Sequence, residues 1–158
     1  MRNKLAQLGN GAHALALQML GNTDDATDAV QDAFVKVLNK PDAYDANTGP
    51  LAPWFLRVVR NHCIDMIRRR RPENAEAHEL SDPGPGPEDS FEGAQRDQLL
   101  KRSLARLSVE QRQIIVLRDY MNLSYAEIAD VLEIAGGTVM SRLHRARMAL
   151  KEELINHG

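Results

Sequence analysis

The side chains of residues 136–154 are of the types that recognise DNA. Along a helical repeat, one face of this stretch is apolar, formed by Val139, Leu143, Ala146 and Leu150. The other face is polar and basic, so it can donate hydrogen bonds to base edges and to phosphates. The candidate DNA contacts on or beside that face are Thr138, Met140, Ser141, Arg142, His144, Arg145 and Arg147. The alternative is an amphipathic helix that packs on its neighbours and has an incidentally basic exposed side.

A second helix and a turn precede this stretch. The segment "LSYAEIADVLEIAGGTVMSRLHRARMAL" has two helical patterns joined by a turn with two glycines, which is typical of a helix-turn-helix motif. Ser124 and Glu127 have the spacing of a capping box, and Leu123 with Ile128 fits a hydrophobic staple. Ser108 and Gln111 form a second predicted capping box.

Acidic side chains cluster near the other end of the chain, in "NTDDATDAVQDAF" (22–34). Asp25, Asp28 and Asp32 share one helical face, opposite an apolar stripe that runs from Ala29 to Leu38. Asn22 or Thr23 is the expected helix cap, and acidic residues in a first turn suit the helix dipole. A capped, solvated face is therefore an alternative to a binding surface.

Residues 51–71 form a third pattern with one apolar and one polar side. The predicted apolar side contains Leu51, Phe55, Val58, Val59 and Met66. The predicted opposite side contains Arg57, Arg60, Asn61, Ile64 and Arg68. "RRRR" ends the helix, and capping of the helix dipole explains only one or two of those arginines.

The whole chain is expected to be all-α, with two small helical domains joined by a flexible acidic linker. Helices are predicted at 3–20, 23–39, 51–71, 95–107, 109–120, 125–132 and 136–154, and the domains at 1–71 and 95–158. The linker, 72–94, has Pro-Gly alternation and no apolar periodicity. Residues 1–71 carry a net charge of +3 and residues 98–158 a net of +2, whereas residues 72–97 carry −7. Neither end has the high density of basic charge that is typical of a protein that binds DNA tightly on its own.

Catalytic chemistry is not expected. His62, Cys63 and His78 lack the spacing of a metal site, and Asp65 is interpreted as a salt-bridge partner of nearby arginines. The single cysteine excludes an internal disulfide and suits a reducing cytoplasm. No stretch is long and apolar enough to span a membrane, and no cofactor is expected.

Three segments resemble the extracytoplasmic-function sigma factors of bacterial RNA polymerase. "ALALQMLGNTDDATDAVQDAFVKVL" is similar to region 2.1–2.2 of that family, and "LAPWFLRVVRNHCIDMIRRRR" to region 2.3–2.4. "LSVEQRQIIVLRDYMNLSYAEIADVLEIAGGTVMSRLHRARMALKEEL" resembles region 4. Together the three segments cover most of the chain outside the linker.

The resemblance implies a role for each part. Region 2 binds the beta-prime clamp of core polymerase and captures the minus-ten promoter element, and region 4 binds the beta flap and reads the minus-thirty-five element. Carried over by position, the clamp would face Asp25, Asp28, Gln31 and Asp32. The minus-ten strand would contact Asn47, Arg57, Arg60, Asn61 and Arg68. Further expected partners are an anti-sigma factor or an upstream kinase, and the expected location is cytoplasmic.

Several positions depart from the family pattern. Glu133 stands where glycine is frequent, Ala135 where a serine usually caps the recognition helix, and Met140 where lysine is frequent. Thr27 occupies the position of a glutamate in the acidic segment, so a phosphothreonine there could restore the charge and act as a switch. Ordinary drift is the alternative reading of Thr27. Two other functions stay open, namely a stand-alone helix-turn-helix regulator and a sigma-like decoy that binds an anti-sigma factor.

Overall fold

The computed structural model describes residues 2–39, 50–70 and 91–157, and every regular element in these ranges is helical. The elements are α1 (Arg2–Leu20), α2 (Thr23–Asn39), α3 (Leu51–Arg70), α4 (Phe91–Ala105), α5 (Val109–Ile115), a π-helical turn (Val116–Tyr120), α6 (Tyr125–Leu132) and α7 (Gly136–His157). The all-α prediction is therefore confirmed. None of the described helices is long and apolar enough to cross a membrane.

Helices α1, α2 and α3 pack together as the N-terminal unit. Its core includes Leu15, Phe55 and Val59, all fully buried, and the rings of Phe34 and Phe55 lie 4.7 Å apart. Asn22 caps α2, because the Asp25 amide donates a hydrogen bond to Asn22 Oδ1 at 3.1 Å. These contacts fix which face of α2 is turned toward solvent.

Helices α4 to α7 form the C-terminal unit, and local sequence signals define its elements. Both predicted capping boxes are present, Ser108 with Gln111 and Ser124 with Glu127. The inward face of α7 is as predicted: Val139, Leu143 and Ala146 are buried and Leu150 is half-buried. The helix-turn-helix is therefore formed by α6 and α7.

Three predicted details of the helices are wrong. The predicted helix over 95–107 begins earlier, at Phe91. The acidic composition of the preceding segment sets the predicted start, although Phe91, Glu92 and Ala94 are compatible with a helix. The helix expected over 109–120 changes to π-helical geometry at Val116. Leu38 belongs to the predicted apolar stripe of α2 but is 73% exposed, because Val37 packs against the core and the next residue lies about 100° further around the helix.

The two units pack directly against each other. Helix α3 lies against α6, and α1 lies against α5 and the π-helical turn. Gly11 is buried in α1 where Met121 approaches so closely that a Cβ at residue 11 would overlap the Met121 side chain. A side chain at residue 11 would therefore require the flexible Met121 side chain to move.

The buried side chain of Arg112 connects the two units at the same contact. Its side chain donates hydrogen bonds to the carbonyl oxygens of Gln18 (3.1 Å), Ala105 (3.4 Å) and Leu107 (2.5 Å). Burial lowers the pKa of the guanidinium. Three carbonyl acceptors replace the water that the buried charge has lost, so Arg112 fixes the α4–α5 connection against the C-terminal end of α1.

Candidate nucleic-acid interface

The outer face of α7 presents polar side chains to solvent along most of its first four turns. Met140 is 62% exposed, and Ser141, His144 and Arg145 are exposed as well. The hydroxyl of Ser141 donates to the Thr138 carbonyl at 3.0 Å, and Arg145 Nε donates to the Ser141 carbonyl at 3.4 Å. A helix with this exposed face can lie in a major groove.

The turn before α7 carries the two departures noted in the sequence. Glu133 ends α6 in the left-handed conformation, at φ 57° and ψ 48°. A non-glycine residue is strained there, which explains why glycine suits this position. Ala135 accepts a backbone hydrogen bond from Thr138 at 3.0 Å, so it occupies the capping position of α7 without a side-chain oxygen. Both departures therefore weaken the local stability of the turn.

Arg147 is held within the protein. Its Nε and NH2 groups donate to the two carboxylate oxygens of Asp119 at 3.2 and 2.5 Å. This hydrogen bonding raises the pKa of Arg147. Arg147 is one of the predicted minus-thirty-five contacts, but in this structure it links α7 to the π-helical turn. About half of its side chain is exposed.

The polar side of α3 is divided between the domain contact and solvent. Arg57 NH1 lies 2.7 Å from Asp130 Oδ1 of α6, and Arg60 Nε donates to Gln113 Oε1 of α5 at 2.9 Å. Burial lowers the pKa of Arg60, against the opposing effect of Glu133 and Glu110. Asn61 and Arg68 are exposed. Asn47 lies outside the described residues.

The acidic face of α2 is partly paired with α3. Asp25 contacts Arg70 at 2.5 Å, and Asp32 contacts His62 Nε2 at 3.3 Å. Lys36 Nζ lies 3.2 Å from Nδ1 of the same imidazole. Asp28 and Gln31 are exposed, and Asp28 has no ion pair among the residues that the structure describes. Asp28 is therefore the carboxylate of this face that is most available to a partner.

Thr27 lies beside this face and is exposed. Its hydroxyl donates to the Thr23 carbonyl at 3.0 Å, and His13 Nε2 lies 3.2 Å from the same oxygen. A group attached to the Thr27 hydroxyl would thus lie next to the imidazole of His13 in α1.

The described residues contain no group of three or more His, Cys, Asp or Glu side chains placed to hold a metal ion. Cys63 is fully buried, and burial raises the pKa of its thiol to about 12. A thiol in this environment is unreactive.

Sequence reasoning missed the partners that engage these residues. The sequence patterns indicate no role for Gln113, Asp130 or Arg112. They also do not indicate the pairing of His62 with Asp32. The pairs across the domain contact are separated by 53 and 73 residues, and no local pattern indicates contacts between such distant helices. The capping boxes were found because their partners are three residues apart.

A helix-turn-helix with an exposed, mostly polar face on its second helix is the architecture of a DNA-binding protein. The family described as Sigma-70 region 2 matches residues 5–73, and the family described as Sigma-70, region 4 matches residues 97–150. The chain is 31% identical to the ECF RNA polymerase sigma factor SigW of Bacillus subtilis, covering 90% of this chain and 82% of that one. It is 33% identical to the ECF RNA polymerase sigma factor SigE of Mycolicibacterium smegmatis, covering 96% of this chain and 60% of that one.

Two solved structures are similar over almost the whole chain. The sigma factor RpoE in complex with the anti-sigma factor NepR from Bartonella quintana has a TM-score of 0.78 and 27% identity, covering 99% of this chain and 98% of that one. CnrH in complex with the cytosolic domain of CnrY has a TM-score of 0.69 and 26% identity, covering 99% and 88%. The chain therefore belongs to the ECF sigma factors of RNA polymerase, and it directs transcription initiation.

Proposed function

We propose that this sigma factor docks on the beta-prime clamp of core polymerase through α2, captures the minus-ten element with α3 and reads the minus-thirty-five element with α7. No covalent chemistry is assigned to the chain, and its place of action is the cytoplasm, where polymerase and promoters meet. The beta flap is the proposed partner of the C-terminal unit. The observation that carries the proposal is that α2 has one apolar and one acidic side.

Helix α2 has an apolar inner side and a charged outer side. Ala26, Ala29 and Ala33 are fully buried, whereas Asp28, Gln31 and Asp32 are exposed. Because these inner residues are small, α2 packs closely against its neighbours. This packing fixes the orientation of its outer, charged side. A rigid acidic surface suits a partner with complementary basic charge.

An anti-sigma factor is a further proposed partner. One similar solved structure contains a sigma factor bound to the anti-sigma factor NepR, and the other contains CnrH bound to the cytosolic domain of CnrY. The alignment covers 99% of this chain in each case, which supports a comparable binding partner for this protein.

Substitution of Asp28 tests the docking surface. We expect Asp28→Asn to weaken binding to core polymerase by about fivefold, because it removes an exposed charge from a complementary contact. Asp97→Asn is the matched control, since it makes the same change at an exposed aspartate of α4. The measurement is fluorescence-detected titration of labelled factor with core polymerase. Equal affinities of the two variants would contradict the assignment of α2.

Thr27 is proposed as a phosphorylation switch on the same surface. Phosphorylation by an upstream kinase would add about −1.5 to −2 of charge, beside His13 and adjacent to the acidic face. Thr27→Glu is expected to bind core polymerase at least about twofold more tightly than Thr27→Gln, which has the same size without the charge. If Thr27→Ala, Thr27→Gln and Thr27→Glu bind equally well, the switch is wrong and Thr27 reflects drift.

A further inference from the structure

Two exposed glycines begin α7, and neither the backbone nor the packing of the protein requires them. A Cβ on Gly136 or Gly137 would lie in open space, with none of the described side chains or neighbouring helices within 4 Å. Both have ordinary helical backbone, since Gly21 is the only described glycine with a positive φ. Because glycine weakens a helix, alanine would suit both positions better on local grounds. The reason for the glycines therefore lies outside the free protein.

Met140 lies one turn beyond these glycines on the same face of α7, because residues three and four apart share a helix face. Its side chain is 62% exposed. Among the exposed side chains between residues 136 and 147, Met140 alone is large and apolar. The N-terminal residues of a recognition helix are the ones that contact base edges. The glycines and Met140 thus form an apolar notch at the part of α7 that would meet the bases first.

Basic and polar side chains surround this apolar notch (Gly136, Gly137 and Met140). Arg142 is half-buried and Arg145 is exposed, and their charge suits phosphates, which position a helix in a groove without specifying a sequence. The hydroxyl of Ser141 already donates to the Thr138 carbonyl at 3.0 Å. The apolar notch is therefore the part of this surface that differs in chemistry from a general phosphate contact.

The major groove offers one apolar group that fits such a notch. Each base pair presents hydrogen-bond donors and acceptors there, and thymine adds a 5-methyl group. A thioether donates no hydrogen bond and accepts only weakly, so Met140 gains little from a donor or an acceptor on a base edge. Burial of a methyl group against the thioether is favourable. The missing side chains at residues 136 and 137 allow a base edge to approach the backbone closely.

We propose that the apolar notch reads a thymine of the minus-thirty-five element through its 5-methyl group, with Met140 as a specificity-determining residue. The inference rests on the proposed function, because it uses the assignment of α7 to that element. A lysine, which is frequent in the family at this position, would donate a hydrogen bond to a base or pair with a phosphate. Met140 thus changes which base this sigma factor prefers.

Deoxyuridine substitution tests the inference, because it removes the thymine methyl group and retains base pairing. A promoter that the full-length factor selects with core polymerase is synthesised with each thymine of the minus-thirty-five element, on either strand, replaced in turn. Apparent affinities of the holoenzyme are measured by competition against the unmodified fragment. One replacement is expected to weaken binding by about fourfold, the effect of one buried methyl group.

Variants of Met140 assign that effect to its side chain. Met140→Gln keeps an unbranched side chain with similar helix propensity but is polar, so it should bind the thymine and uracil fragments equally well. Met140→Leu stays apolar and should retain the preference for thymine. Met148→Gln is the matched control, since it makes the same change at a methionine of α7 that is 50% exposed and lies about two turns further along. It should retain the full fourfold preference.

Gly137→Ala tests the glycine part of the notch. Since a Cβ there meets open space, alanine is expected to raise the midpoint of thermal unfolding by about 2 °C. It should nevertheless weaken promoter binding by the holoenzyme about fivefold, because the methyl group occupies the space that a base edge would enter. Unchanged promoter binding by this variant would contradict a close approach of DNA at the glycines.

The outcomes separate the inference from the proposed function. Promoter-specific transcription with no methyl effect at any thymine would overturn the inference alone, as would a selected minus-thirty-five element that contains no A·T pair. An equal loss on deoxyuridine substitution in the wild type and Met140→Gln would also overturn it. Absence of promoter-specific transcripts from the wild-type holoenzyme would overturn the proposed function, and the inference with it.

Discussion

Glu133 combines a charged side chain with a backbone conformation that favours glycine. At φ 57° it terminates α6 and directs the chain into the turn before α7. The left-handed conformation costs an ordinary residue about 1 kcal/mol or more. The helix-turn-helix therefore stores strain at its turn, and the strain can be relieved by one substitution.

Glu133→Gly is expected to stabilise the protein by about 1 kcal/mol, or about 3 °C in the midpoint of thermal unfolding. Glu133→Ala is the control, because it removes the same charge near Arg60 but keeps the strained conformation. Circular dichroism during heating measures both. Equal midpoints for the two variants would show that the charge, and not the backbone, determines the effect.

Cys63 gives a second prediction at the scale of a single residue. With a thiol pKa of about 12, the thiolate fraction at pH 8 is about one in ten thousand. We expect iodoacetamide to alkylate the native protein orders of magnitude more slowly than free cysteine, with the rate rising as the pH rises. Addition of denaturant should restore the rate of free cysteine. Rapid labelling of the native protein at pH 8 would contradict the buried position.

At the scale of elements, local sequence signals predicted the helices well and their contacts poorly. The capping boxes at Ser108 and Ser124 and the inward face of α7 follow from spacings of three or four residues, which the helix itself imposes. The pairing of Arg57 with Asp130 depends on how α3 packs against α6, and no repeat in the sequence encodes it. The π-helical turn that begins at Val116 could not be predicted either, because the apolar pattern of its sequence does not differ from that of an α-helix.

The N-terminus of α7 can be stabilised by substitution, because Ala135 provides no side-chain oxygen to cap it. Ala135→Ser would place a hydroxyl where it can accept from the Thr138 amide, with an expected gain of about 1 kcal/mol. Ala135→Val has no such oxygen and should give no gain. The free energy of unfolding in urea should increase for the serine variant alone. An equal gain for valine would show that capping is not the cause.

At the scale of the whole molecule, the distribution of charge fits a factor that works only within a larger assembly. The formal net charge is −2, so the free chain lacks the basic excess that gives strong non-specific DNA binding. The acidic α2 and the polar face of α7 lie on different units, and the contact between those units occupies Arg57 and Arg60. Polymerase would thus supply the affinity for DNA that the free chain lacks.

The most direct test of the central claim is run-off transcription with purified core polymerase and a library of promoter fragments. The protein is expected to produce transcripts only in the presence of core polymerase, from promoters that share two short motifs about 25 base pairs apart. Asp28→Asn should require about fivefold more factor for the same yield, and Asp97→Asn should match the wild type. Start sites identical to those of core polymerase alone, or binding to promoter duplex without polymerase, would contradict the account.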